Sequence, residues 1–177
     1  FTSQDYVTYQ NINQSIIVEL YHGPTLAFKD FAMQLLIPLF DHFLANENRK
    51  VNLLVATSGD TGSAAINAVS KSKHVNIFCL FPKNRISEFQ RKQMSTVGKE
   101  NITLCEIDGT FDDCQNIVKL ILGDQNFCNS NYVAAVNSIN WARIAIQSVY
   151  YFYSYLNNVH DYKSEVNFSV PTGNFGD

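Results

Sequence analysis

No apolar run in this 177-residue sequence approaches the roughly 20 residues that a membrane helix needs. The stretches at 31–40 and 144–156 come nearest, and Gln34, Pro38, Gln147 and Ser148 interrupt them. No basic segment leads into an apolar one at the N-terminus, so no signal peptide is read. The four cysteines (79, 105, 114 and 128) lack CxxC spacing, and the four histidines (22, 42, 74 and 160) form neither HxxxH nor HExxH, so no metal site is expected. Cys79 and Cys105 sit inside apolar runs and read as buried, reduced thiols, which fits a cytoplasmic protein. Neither GxGxxG nor GxxxxGK[ST] occurs, which argues against nucleotide binding. Eight Gly and four Pro exclude collagen-like and proline-rich classes. Charge is sparse at 16%, with a net of −3, unlike chains that bind nucleic acid by neutralising phosphates.

What is present is a 46% hydrophobic chain, enough for one ordinary domain or part of a larger one. Short apolar runs alternate with longer helical patterns. Strands are expected at 15–20 (SIIVEL), 51–57 (VNLLVAT), 75–81 (VNIFCLF), 102–107 (ITLCEI), 132–135 and 166–170 (VNFSV). Helices are expected at 30–45, with Pro38 as a kink, and at 61–70, 87–97, 110–122 and 140–156. Ser87 and Gln90 fit a capping box, and 126–131 (NFCNSN) reads as a loop. Strand–helix alternation of this kind predicts βαβ units with a mostly parallel sheet, whose strands are apolar on both faces. The fold class is therefore α/β. The final PTGNFGD is a glycine-rich turn after an expected strand, and the chain reads as a piece of something longer.

In open α/β sheets, ligands sit at the carboxyl ends of strands. Four polar segments lie there or at helix starts. In YHGPTLAFKDF (21–31), Lys29 follows an apolar stretch and opens a helix, where a cation opposes the helix dipole. It is either a solvated lysine or an amine with a depressed pKa, suited to a Schiff base. In ATSGDTG (56–62), the turn into a helix offers backbone N–H groups and the hydroxyls of Ser58 and Thr61 to an anion. It is equally read as a plain turn capped by Asp60. In VNSINWARI (136–144), Asn137, Ser138, Asn140 and Arg143 either clamp a phosphate or carboxylate, or cap a helix beside a solvated arginine. PTGNFGD (171–177) is either an anion-wrapping loop or a simple turn.

Taken together, HGPTLAFKDFA, ATSGDTG, NSINWARI and PTGNFGD resemble, in motif order and spacing, the threonine synthases. These are pyridoxal-phosphate enzymes of the tryptophan-synthase-β-like superfamily, fold type II. The resemblance covers essentially the whole chain, as a central portion of a longer enzyme. It implies that Lys29 carries pyridoxal 5′-phosphate as a Schiff base and then moves protons on the substrate carbons. It implies that Ser58, Gly59, Asp60, Thr61 and Gly62 hold the substrate carboxylate, with Asp60 also at the edge of the cofactor ring. Many fold type II relatives have Asn where Asp60 stands. Asn137, Ser138 and Arg143 would clamp the substrate phosphate, and Gly173, Asn174, Phe175 and Gly176 the cofactor phosphate.

The reaction implied is O-phospho-L-homoserine plus water giving L-threonine and phosphate. A serine/threonine dehydratase-like lyase, which has no γ-phosphate to bind, a non-catalytic remnant of the fold and a plain α/β interaction module are the competing readings. The resemblance further implies two α/β/α units, with residues 51–136 in a smaller mobile one and residues 1–50 and 137–177 in a larger one. The remainder of the polypeptide would then be needed to complete the site, and the 177-residue chain alone is expected to be inactive.

Overall fold

The computed structural model describes residues 6–136, 141–161 and 163–172. Its centre is a four-stranded, wholly parallel sheet in the order β5-β4-β3-β6. Numbered along the chain, its strands are β3 (Val51–Ala56), β4 (Val75–Pro82), β5 (Ile102–Ile107) and β6 (Val133–Ala135). Alternate residues of β3 and β4 feed opposite faces. Leu53, Val55, Ile77, Cys79 and Phe81 meet helices α1 (Lys29–Glu47), α2 (Asp60–Val69) and α3 (Glu88–Ser95) on one side. Leu54 and Leu80 meet Cys114 and Val118 of α4 (Phe111–Gly123) on the other. Burial on both faces explains why these strands read as unbroken apolar runs; each fully buried Leu, Val or Ile contributes roughly 1.5–3 kcal/mol. The small residues Ala64, Ala65 and Ala68 let α2 lie close to the sheet.

Several expectations required correction. An antiparallel hairpin of β1 (Thr8–Ile12) and β2 (Ser15–Glu19) precedes the sheet, and its first strand was not expected. TYQNI has few apolar residues; Asn13, at φ +55°, makes the tight turn. The expected loop at 126–131 is helix α5 (Gln125–Asn131), because Asp124 Oδ1 accepts the N–H of Phe127 at 2.9 Å.

The expected long helix at 140–156 is two helices, α6 (Trp141–Gln147) and α7 (Val149–Asn158), with residue 140 outside the described residues. At the junction, the Ser148 hydroxyl turns back to donate to the Ala145 carbonyl at 2.7 Å. The expected strand at 166–170 does not form: this segment pairs with no strand among the described residues, and Phe168 stacks edge-on against Tyr151 of α7 at 5.1 Å. An apolar run becomes a strand only where a neighbour offers ladder hydrogen bonds. Pro38 lies inside α1, which continues past it to Glu47. No helix among the described residues is long and apolar enough to cross a membrane.

Candidate active site

The site forms where the starts of α1 and α2 meet. Lys29 is the first residue of α1 and Asp60 the first of α2. Lys29 Nζ lies 3.8 Å from Asp60 Oδ2 and 4.0 Å from the centre of the Phe28 ring. Its side chain is only 15% exposed, whereas that of Asp60 is 51% exposed. The solvated-lysine reading therefore fails. The amine is largely enclosed, and its open side is shared with a carboxylate.

The turn before Lys29 is held by the next residue in sequence. Asp30 is fully buried, and its carboxylate accepts the Thr25 N–H at 2.8 Å and the Thr25 hydroxyl at 2.7 Å. Burial pushes the Asp30 carboxyl above its ordinary value, and the Thr25 bonds offset this only in part. Gly23 makes this packing feasible, since a Cβ there would lie 2.4 Å from Asp30 Oδ2. Leu26, at φ +60°, completes the turn through its N–H to the Gly23 carbonyl at 3.1 Å. A leucine in the left-handed region is strained, and such strain clusters at functional sites.

The turn into α2 is organised by Thr57 rather than by an Asp60 cap. The buried Thr57 Oγ1 accepts the N–H groups of Gly59 and Gly62, both at 2.9 Å. The N-cap position is Gly59, at φ +141°, a conformation that side-chain-bearing residues rarely adopt. Ser58 and Asp60 are exposed around this turn, Thr61 is half-buried, and Gly59 and Gly62 are buried. The structure thus brings Lys29 together with Asp60, and Ser58, Gly59, Thr61 and Gly62 form the turn and first residues of the helix that Asp60 opens.

Arg143 is on α6, which packs against α1. It is 1% exposed, and its Nε donates to Gln147 Oε1 at 2.9 Å; Gln147 Nε2 in turn donates to the Tyr150 hydroxyl at 3.3 Å. Burial pushes the guanidinium below its ordinary value. Asn137, Ser138, Gly173, Asn174, Phe175 and Gly176 lie outside the described residues. Sequence reasoning missed Thr25, Asp30 and Thr57 as organisers. The available signal was a Thr or Asp flanking each glycine turn, a pattern that ordinary turns share.

Among the described residues, no group of acidic, His and Cys side chains is placed to hold a metal ion. The four cysteines are free thiols. Cys79 is buried and its thiol is pushed up to about 12 by that burial, while Cys105 is only half-buried. A primary amine enclosed beside the first residue of a helix whose start carries Gly59 and Gly62 has the chemistry to hold an aldehyde-bearing anion such as pyridoxal phosphate.

No protein-family model matches the chain. Its sequence is 55% identical to the threonine synthase of Pseudomonas aeruginosa over 161 residues, which are 91% of this chain and 34% of that protein. The pyridoxal-phosphate-bound threonine synthase of Brucella melitensis superposes with a TM-score of 0.86 at 46% identity, over 97% of this chain and 37% of that one. Yeast threonine synthase gives 0.85 at 46% identity, over 100% and 37%. The chain is thus homologous to threonine synthases and has their fold, that of fold type II enzymes, across about a third of their length.

Proposed function

We propose that this chain is the lysine-bearing part of a threonine synthase, which converts O-phospho-L-homoserine and water into L-threonine and phosphate with pyridoxal 5′-phosphate. The observation that carries this reading is the enclosed Lys29 amine, 3.8 Å from Asp60 at the paired helix starts. When bound, pyridoxal phosphate supplies an electron sink that eases proton loss from the substrate carbons. Lys29 binds the cofactor and moves protons between the α, β and γ carbons. Phe28 and the α1 turn keep water from most of its surface.

The hydroxyls of Ser58 and Thr61 and the backbone N–H of Asp60 receive the substrate carboxylate at the start of α2, and Gly59 and Gly62, whose own N–H groups Thr57 holds, line it without side chains. Asp60 also faces the cofactor ring edge. Arg143, with Asn137 and Ser138, holds the substrate phosphate; a desolvated guanidinium binds a dianion far more strongly than a solvent-exposed one. Gly173, Asn174, Phe175 and Gly176 receive the cofactor phosphate through backbone N–H groups.

In this reading the sheet-bearing residues 51–136 belong to the smaller unit, and residues 1–50 and 137–177 to the larger. The partners are a small-molecule substrate and the remainder of the polypeptide. The four free thiols are in keeping with a cytoplasmic enzyme.

The test is phosphate release and threonine formation from O-phosphohomoserine by the full-length enzyme carrying this segment, beside the 177-residue chain alone. The full-length enzyme turns over and the short chain does not. Absence of threonine formation by the full-length enzyme would refute the reading, and full turnover by the short chain would show that residues 1–177 suffice.

A further inference from the structure

Helix α3 carries no residue that sequence reading assigned to the site, yet it meets the site at three points. Gln93 Nε2 donates to the Thr25 carbonyl at 3.1 Å, in the turn that leads into Lys29. Met94 Sδ lies 2.9 Å from where a Cβ on Gly62 would stand. Gln90 Nε2 donates to Asp60 Oδ1 at 2.6 Å, while the other carboxylate oxygen, Oδ2, faces Lys29 Nζ at 3.8 Å.

The two ends of the Gln90 amide do different work. Its oxygen accepts from the Ser87 hydroxyl at 2.9 Å and the Ser87 N–H at 3.3 Å, closing the capping box of α3. Its nitrogen is thereby turned towards Asp60. A capping box needs only an acceptor at this position, and glutamate serves there as well as glutamine. The N–H donor goes beyond that requirement, and it is the part that reaches the site. Gly59 leaves the room: a Cβ there would fall 2.2 Å from Gln90 Cδ. Asp60 is half exposed, so a bond from a fixed amide decides which way its carboxylate points.

We propose that Gln90 is a positioning residue, whose side-chain amide holds the Asp60 carboxylate with Oδ2 turned to Lys29. The proposal rests on the reading of Lys29 as the cofactor lysine. With Gln93 bound to the Thr25 carbonyl, one helix aligns both sides of the Lys29–Asp60 pair.

The experiment uses the full-length enzyme carrying this segment, with melting temperature, the visible absorption of bound pyridoxal phosphate, kcat and KM as readouts. Gln90→Glu keeps the cap acceptor and removes the donor to Asp60; Ser87→Ala weakens the cap and keeps that donor. Gln90→Glu lowers kcat by about tenfold or more with KM changed less than about threefold, the loss expected for a hydrogen bond to a charged group. It also shifts the visible absorption. Ser87→Ala lowers the melting temperature and, because the Ser87 N–H still holds the Gln90 oxygen, costs kcat and the absorption clearly less than Gln90→Glu does. Because Gln90 acts through Asp60, adding Gln90→Glu to Asp60→Asn costs no more than about twofold beyond Asp60→Asn alone, in absorption amplitude and in kcat.

Wild-type kcat and absorption in Gln90→Glu, losses in Ser87→Ala that match it, or additive losses in the double variant would each overturn the proposal. Lys29→Ala separates the two levels. If it still traps the cofactor on borohydride reduction, the reading of Lys29 falls and Gln90 with it. If it does not, and Gln90→Glu behaves as wild type, Gln90 alone falls.

Discussion

Asp30 holds Thr25 twice, by the backbone N–H at 2.8 Å and by the hydroxyl at 2.7 Å, and so fixes the turn that delivers Lys29. Asp30→Ala leaves both Thr25 donors buried without this acceptor, at about 1–3 kcal/mol each, so a loss of about 2–6 kcal/mol is expected in urea unfolding. The same carboxylate sets a pH dependence. Burial raises its folded pKa above the ordinary aspartate value of 3.8, so the folded state binds this proton first as pH falls. Compared with Asp30→Asn, the wild type gains stability as pH drops from the folded value towards 3.8 and gains no more below it. Urea midpoints measured across that interval for both proteins check the sign.

Two helical glycines should respond to alanine in opposite directions. Gly123, at the end of α4, has nothing within 4 Å of an added Cβ, so Gly123→Ala gains up to about 1 kcal/mol from helix propensity. Gly62, in the first turn of α2, would place a Cβ 2.5 Å from Thr57 Cγ2 and 2.9 Å from Met94 Sδ. Gly62→Ala should lose about 1–3 kcal/mol despite the same propensity gain. Thermal melts of the two variants side by side decide it.

Thr57→Val is nearly isosteric but removes the acceptor for the N–H groups of Gly59 and Gly62. A cost of about 2–4 kcal/mol is expected. Cofactor affinity should fall with it, because the α2 start loses its shape. A calorimetric melt together with a pyridoxal phosphate titration measures both effects.

The regular α/β frame was legible because its cause is local. Strand Ile102–Ile107 and the Ser87–Gln90 capping box appear where the pattern placed them. The misses depended on partners distant in sequence or on a single polar atom. The run at 166–170 has strand composition but no ladder neighbour among the described residues, and the hydroxyl of Ser148 marks a break that apolar periodicity cannot show. In the site, Lys29 and Asp60 each stood out within a motif, but their 3.8 Å approach depends on how α1 and α2 pack. Gln90 was visible only as a cap, because its bond to Asp60 spans 30 residues.

Arg143 separates substrate handling from cofactor holding. In the full-length enzyme, Arg143→Ala should reduce kcat/KM for O-phosphohomoserine by at least about tenfold, the worth of a charge-assisted hydrogen bond. Pyridoxal phosphate binding should change far less. Because Arg143 is buried against Gln147, melting of each variant is followed in parallel. Equal losses in cofactor binding and in turnover would place Arg143 on the cofactor phosphate or in the scaffold.

The identity of the lysine that carries the cofactor is the centre of the account. The direct measurement is borohydride reduction with pyridoxal phosphate, followed by peptide mapping of the wild type and of Lys29→Ala in the full-length enzyme. The account predicts the reduced adduct on Lys29 in the wild type, and no adduct on this segment in Lys29→Ala. An adduct on another of the nine lysines in the sequence, retained in Lys29→Ala, would contradict it.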